Sequence, residues 1–242
     1  MKQKKRAYAC SAGTPLRLGA YRRPKGVNFS INVRGNEHVE VLLYEPGATE
    51  PFQVIDMSDD YKTGLVDAVY VEIPPEDVVE YNYRIDGVVT PDPCARIVRT
   101  ATGADGKEEL RCGIEQGYVN ETEPLVLRYR DNVFYKLHVR GFTAGEGSGV
   151  RHPGTFLGVQ EKIPYLQKLG VNAVILMPVY EFTERPARMF EGPAYLAEEQ
   201  RANYWGYTDG LYYVPKQRYC ATEDAIGDFG AIVAALHENG IE

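Results

Sequence analysis

The run Val171-Asn172-Ala173-Val174-Ile175-Leu176-Met177 is apolar at every position but one. It reads as a parallel strand buried on both faces, because such strands lack the polar alternation of a sheet with one wet side. Upstream, Phe156 to Leu169 carries apolar residues at helical spacing, and Pro164 is placed to start a second helical segment. Gly170 then caps it, since glycine enters the left-handed region without a Cβ penalty. Val133 to Val139 reads as an earlier strand. Downstream, after a long excursion from Pro178 to Gly227, Asp228 opens a helix with Phe229, Ile232, Val233 and Leu236 on one face. Gly240 sits at its end and Ile241 begins another strand. Strand and helix alternate as in a parallel α/β structure. An eight-unit barrel needs about 250 residues, more than twice the length of the stretch from Asp131 to Glu242. The expectation is the first part of an incomplete (β/α)8 barrel, about two βα units and the start of a third strand, with a smaller open sheet as the alternative.

The earlier residues follow a different grammar. Val27, Phe29, Ile31 and Val33, then Val39, Val41 and Leu43, alternate with period two, as half-buried antiparallel strands do. Val69 to Ile73 and Tyr81 to Ile85 continue the pattern, and Asp86-Gly87 has the residue types of a type I′ hairpin turn. An all-β, Ig-like sandwich is expected. The expected division is a tail over 1–12, a sandwich over 13–100, a link over 101–130 interrupted by Gly103, Gly106, Gly113 and Gly117, and the barrel part over 131–242.

Among 242 residues, 44% are hydrophobic and 25% charged, which suits ordinary packed cores. The net charge of -7 repels nucleic-acid phosphates and anionic membrane surfaces, so neither is an expected partner. No apolar stretch reaches the length of a membrane span, and none follows the basic run Lys2 to Arg6 as a signal peptide requires, so a cytoplasmic location is expected. Cys10, Cys94, Cys112 and Cys220 are widely spaced and read as reduced thiols. His38, His138, His152 and His237 have no metal-binding spacing, so no metal is expected, and no cofactor. Gly145-Glu146-Gly147-Ser148-Gly149 lacks the ending a phosphate loop needs and reads as a surface loop. Tyrosine is abundant, 18 residues against one Trp and 8 Phe, and combines a flat apolar face with a hydroxyl.

Tyr135-Lys136-Leu137-His138-Val139-Arg140-Gly141-Phe142-Thr143 resembles the first barrel strand of pullulanases, isoamylases and related debranching enzymes of the alpha-amylase superfamily. The likeness continues through Gly154-Thr155-Phe156, Ile163-Pro164-Tyr165-Leu166, Leu169-Gly170-Val171 and Leu176-Met177-Pro178-Val179. Asn203-Tyr204-Trp205-Gly206-Tyr207 resembles the type I pullulanase signature Tyr-Asn-Trp-Gly-Tyr-Asp-Pro, with its first two residues exchanged and Thr208-Asp209 in place of Asp-Pro. Earlier, Leu18-Gly19-Ala20, Val27-Asn28-Phe29, Tyr81-Asn82-Tyr83-Arg84 and Asp92-Pro93 are similar to the family 48 type of carbohydrate-binding module.

The resemblance implies the front part of a retaining hydrolase of alpha-1,6 branch linkages in starch- or glycogen-type alpha-glucans. The alternatives are a non-catalytic alpha-glucan-binding protein, or an amylase or branching enzyme of the same superfamily. It also implies that the catalytic carboxylates lie beyond Glu242, so this chain is expected to hold no catalytic residue and to be inactive alone. Tyr207, Trp205, Asn203, Tyr204 and Asp209 are the implied substrate contacts, with Tyr207 stacking against the glucose at the cleaved bond. Glu181, Glu184, Glu198, Asp209, Glu223, Asp224 and Asp228 are instead expected to be solvated or helix-capping. His138 is expected to be a satisfied core histidine, and Arg140 to pair with a structural carboxylate.

Overall fold

The computed structural model describes residues 7–57, 61–114, 122–184 and 203–242. The expected tail run Lys2 to Arg6, Gly117 and Glu198 lie outside the described residues. The chain divides into two compact units, residues 1–118 and 119–242.

The first unit is built of antiparallel strands: β1 (Cys10–Ala12), β2 (Gly19–Arg23), β3 (Gly26–Asn32), β4 (Val39–Tyr44), β5 (Gln53–Asp56), β6 (Lys62–Thr63), β7 (Val66–Val71), β8 (Glu80–Ile85), β9 (Val88–Thr90), β10 (Ile97–Thr102) and β11 (Glu108–Gly113). One sheet runs β1-β7-β3-β2 with β6 on β7, and the other runs β10-β11-β8-β4-β5 with β9 on β8. Period-two apolar residues place Phe29 from the first sheet edge-on to Tyr81 from the second, with ring centroids 5.0 Å apart. Asp86 and Gly87 both take positive φ, 48° and 82°, so the β8–β9 turn has the backbone its residue types permit.

Three expectations do not hold in this unit. The strands are not merely half-buried: β3 is buried at six of seven positions. Its outer residues are covered from the chain before β2, where Asn28 accepts from the Thr14 N–H and Ser30 donates to the Arg17 carbonyl. Cys10–Ala12 is not tail, because it pairs with β7. Residues 97–113 do not link domains: β10 and β11 are paired along their length, and Arg111 is fully buried with its guanidinium 3.3 Å from the Tyr44 ring centroid.

The second unit contains β12 (Phe134–Leu137), α1 (Val139–Thr143), α2 (Phe156–Gln160), α3 (Ile163–Lys168), β13 (Ala173–Leu176), β14 (Tyr180–Phe182), β15 (Gly210–Pro215) and α4 (Ala225–Glu238). β12 and β13 pair in parallel, Phe134 against Ala173 through Leu137 against Leu176. Beside β13, the Glu242 N–H donates to the Asn172 carbonyl and the Val174 N–H to the Glu242 carbonyl. Leu137, Phe156, Val159, Leu166 and Ile232 form the centre of this core. The segment 156–169 does break in two, with Pro164 in the first turn of α3, where its missing N–H leaves no bond unmade. Gly170 (φ 76°) and Gly240 (φ 72°) follow the helices in the left-handed region.

β13 is not buried on both faces, since Ile175 is 45% exposed. Asp228 does not open α4. Asp224 caps that helix by accepting from the Gly227 N–H, while Asp228 accepts from the N–H groups of Ala221 and Thr222 and from the Thr222 hydroxyl. No described helix is long and apolar enough to cross a membrane.

Candidate functional site

Asn203-Tyr204-Trp205-Gly206-Tyr207 forms a loop held from three sides. Asn203 Oδ1 accepts from the Gly206 N–H at 3.1 Å, a local side-chain-to-backbone bond that closes the loop over the next three residues. Gly206 has φ 76°, and a Cβ there would stand 2.4 Å from the Phe182 ring, so both backbone and packing demand glycine. The Tyr180 hydroxyl lies 2.8 Å from the Gly206 carbonyl and 2.7 Å from that of Thr208, anchoring the descending side of the loop.

The second hold is His138. It lies outside the strand expected for it: β12 ends at Leu137, and His138 caps α1 by accepting the Gly141 N–H at Nδ1, 3.0 Å away. That bond places the ring proton on Nε2, which faces the Tyr204 carbonyl at 2.7 Å. The Tyr204 ring stacks on the imidazole, with centroids 4.2 Å apart and planes 9° apart. Gly141 makes room for this stack, because a Cβ there would meet the Tyr204 hydroxyl at 2.5 Å. His138 is therefore a buried, satisfied residue, and its contacts are with the loop.

The third hold is a set of charges on and beside β14 and β15. Arg140 pairs with Glu184 at 2.7 Å, the structural carboxylate expected for it. Arg218 meets the other Glu184 oxygen at 3.1 Å. Lys216, 1% exposed, reaches Glu181 at 2.9 Å, Glu184 at 3.5 Å and the Phe182 carbonyl at 2.8 Å. Glu181 and Glu184 are thus neither solvated nor capping, which corrects that expectation for the pair. Burial works to raise the Glu184 pKa, but its bond to Arg140 and the charges of Lys216, Arg140 and Arg218 outweigh it and hold the carboxyl below the usual range. Burial pushes the Tyr219 hydroxyl up to about 12, so that residue is a neutral neighbour of His138, 3.1 Å from its Nε2.

On this base the loop presents aromatic surface. Trp205 is 59% exposed and Tyr207 63%. Lys136 lies 5.6 Å from the Tyr207 ring centroid. Of the five residues singled out from sequence, Asn203, Tyr204, Trp205 and Tyr207 share this loop. Asp209 stands at the entry to β15, with its carboxylate 3.4 Å from the Tyr212 hydroxyl. Lys216, Glu184, Tyr180 and Tyr219 belong to the site's support and carried no sequence signal beyond one lysine following the apolar Val214-Pro215. Among the described residues no cluster of His, Cys, Asp and Glu could hold a metal ion.

No protein-family profile matches the chain. In sequence it is 32% identical over 96% of its length to "Isoamylase 1, chloroplastic" of Oryza sativa subsp. japonica. It is 27% identical over 95% of its length to "Glycogen debranching enzyme" of Pectobacterium carotovorum. The chain matches a segment of an alpha-amylase-family debranching enzyme. It spans about a third of the length of those relatives, 32% and 38% respectively. In structure, a pullulanase from Paenibacillus barengoltzii complexed with maltotetraose superposes with a TM-score of 0.72 at 23% identity, covering 93% of this chain and 36% of the other. The type I pullulanase of Bacillus subtilis complexed with maltose gives 0.70 at 21%, covering 93% and 32%. The mostly β architecture of this chain, with its few helices, is therefore one found in pullulanases.

Proposed function

We propose that this chain is the front part of a retaining glycoside hydrolase that cleaves alpha-1,6 linkages of starch- or glycogen-type alpha-glucans. The observation that carries the reading is the similarity to isoamylases and glycogen debranching enzymes along almost the whole chain. In this reading the first unit is an Ig-like sandwich of the carbohydrate-binding-module kind. The second is the opening of a (β/α)8 barrel, supported by the parallel β12–β13 pair and by the Glu242 backbone bonding beside β13. The 203–209 loop is the substrate-contacting part, with Tyr207 stacking on a glucose ring and Trp205, Tyr204, Asn203 and Asp209 around it. Its exposed rings offer apolar faces to sugar C–H groups, and its rigid base holds them in place.

Among the described residues none takes the part of nucleophile or acid–base in this reading. Retaining hydrolysis needs two carboxyl groups about 5–5.5 Å apart facing one bond. Glu181 and Glu184 are already neutralised by Lys216, Arg140 and Arg218. A cytoplasmic setting belongs to the same reading, supported by the thiols Cys10, Cys94, Cys112 and Cys220, none of them in a disulfide. Incubation with pullulan and branched limit dextrin tests the assignment. The chain should bind both and release no reducing sugar. Release above that of a Tyr207→Ala control would place catalytic groups within it, and failure to bind either glucan would remove the loop from the substrate site.

A further inference from the structure

Lys216 is the buried charge on which the aromatic loop converges. A lysine 1% exposed is sustained only by full pairing, and two of its three partners, Glu184 and Phe182, each hold a different part of the loop. Glu184, 3.5 Å from the ammonium, also accepts the Asn203 N–H at its backbone carbonyl, 2.7 Å away, and so fixes where the loop begins. Phe182 takes the ammonium on its carbonyl at 2.8 Å and beneath its ring at 4.0 Å, and that same ring is the floor on which Gly206 rests. Glu181 binds the ammonium with one oxygen and the Gln217 N–H with the other, tying β14 to the chain after β15. Through Glu184 the set also fixes Arg140, two residues after the His138 on which Tyr204 stacks.

We propose that Lys216 is a positioning residue for the aromatic loop: its buried ammonium, shared among Glu181, Phe182 and Glu184, holds residues 203–207 in the conformation that presents Trp205 and Tyr207. The ligand part of this inference rests on the reading of the loop as glucan-contacting. The conformational part does not.

Trp205 is the single tryptophan of the chain, so emission excited selectively from tryptophan, away from the absorption of the 18 tyrosines, reports on the loop alone. Lys216→Met keeps the length of the side chain and removes its charge. The companion variant Lys216→Met with Glu181→Gln also removes the anion left unpaired, and it decides the matter if the single variant fails to fold. Folding is followed by far-UV circular dichroism, the loop by acrylamide quenching and emission maximum of Trp205, and ligand binding by titration with maltohexaose. In the folded variant Trp205 should become more quenchable and emit at longer wavelength, and maltohexaose affinity should fall by about tenfold, the change that about 1.4 kcal/mol produces. A folded double variant with Trp205 quenching and emission like the wild type overturns the proposal, even if it melts earlier, because a merely structural ion pair moves only the melting temperature. If the wild-type chain itself gives no response to maltohexaose, the glucan reading fails, while the Trp205 comparison still decides the role of Lys216.

Discussion

Tyrosine serves opposite ends in the two units. In the first, Tyr81 and Tyr83 are fully buried, and burial drives both hydroxyls far above their ordinary pKa. The Tyr81 hydroxyl is satisfied by Asp92 at 2.7 Å, and the rings meet edge-on between the sheets. In the second, Tyr207 and Trp205 stand more than half exposed over a base that is itself closed and paired. A tyrosine inside a core is held for volume, whereas one held out in water by a rigid loop gains nothing for folding. Exposure sustained by an elaborate support, rather than abundance of tyrosine, distinguishes a contact surface from packing.

Truncating one ring in each unit separates the two uses of tyrosine by the largest expected effect. Tyr81→Ala should cost about 3–5 kcal/mol, the range for emptying a buried aromatic site. Tyr207→Ala should cost no more than about 0.5 kcal/mol, as surface changes do. Urea unfolding of both variants checks this, and equal losses would mean that Tyr207 packs rather than presents.

The next effect comes from the loop's floor. Gly206→Ala forces a side chain into a positive φ and against the Phe182 ring. Strain of about 1–2 kcal/mol and overpacking of about 1–3 kcal/mol should combine in its melting curve. Gly47→Ala, also at positive φ but with open space around it, isolates the backbone part. A Gly206→Ala variant no less stable than Gly47→Ala would show that the floor yields.

The smallest effect is electrostatic. The Glu184 carboxyl is held below its ordinary value, so its folded-state pKa lies under that of the unfolded chain. It contributes stability that is present above the unfolded pKa of about 4.3 and is lost as pH falls through the folded value. Stability measured from neutral pH down into this acid window should fall less steeply for Glu184→Gln than for the wild type. Parallel curves would mean that Arg140 and Arg218 do not favour its charged form.

Much of this was legible in the sequence, for reasons that can be named. The parallel strand at 173–176 and the broken helix before it follow from an apolar run, Pro164 and Gly170, all local signals. The loop was legible through Asn203-Tyr204-Trp205-Gly206-Tyr207 and its resemblance. The β10–β11 hairpin was not, because Gly103, Gly106 and Gly113 look like a link until pairing with Tyr81 and Glu80 is known. Nor was the charged support. Glu181, Glu184 and Lys216 are ordinary surface residues by type, and only tertiary pairing puts them under the loop. Asp224 and Asp228 are not told apart by sequence, because either carboxylate can satisfy free N–H groups at a helix start.

The 203–209 loop is proposed as a glucan-contacting surface on a self-sufficient base. Titrating the chain with maltohexaose while following Trp205 emission tests it most directly, with Tyr207→Ala alongside. A saturable change is expected in the wild type and an affinity about tenfold weaker in Tyr207→Ala, corresponding to about 1.4 kcal/mol of lost contact, with the melting temperature unchanged. A wild type without a saturable response, or a Tyr207→Ala variant that melts earlier while binding like the wild type, would contradict it.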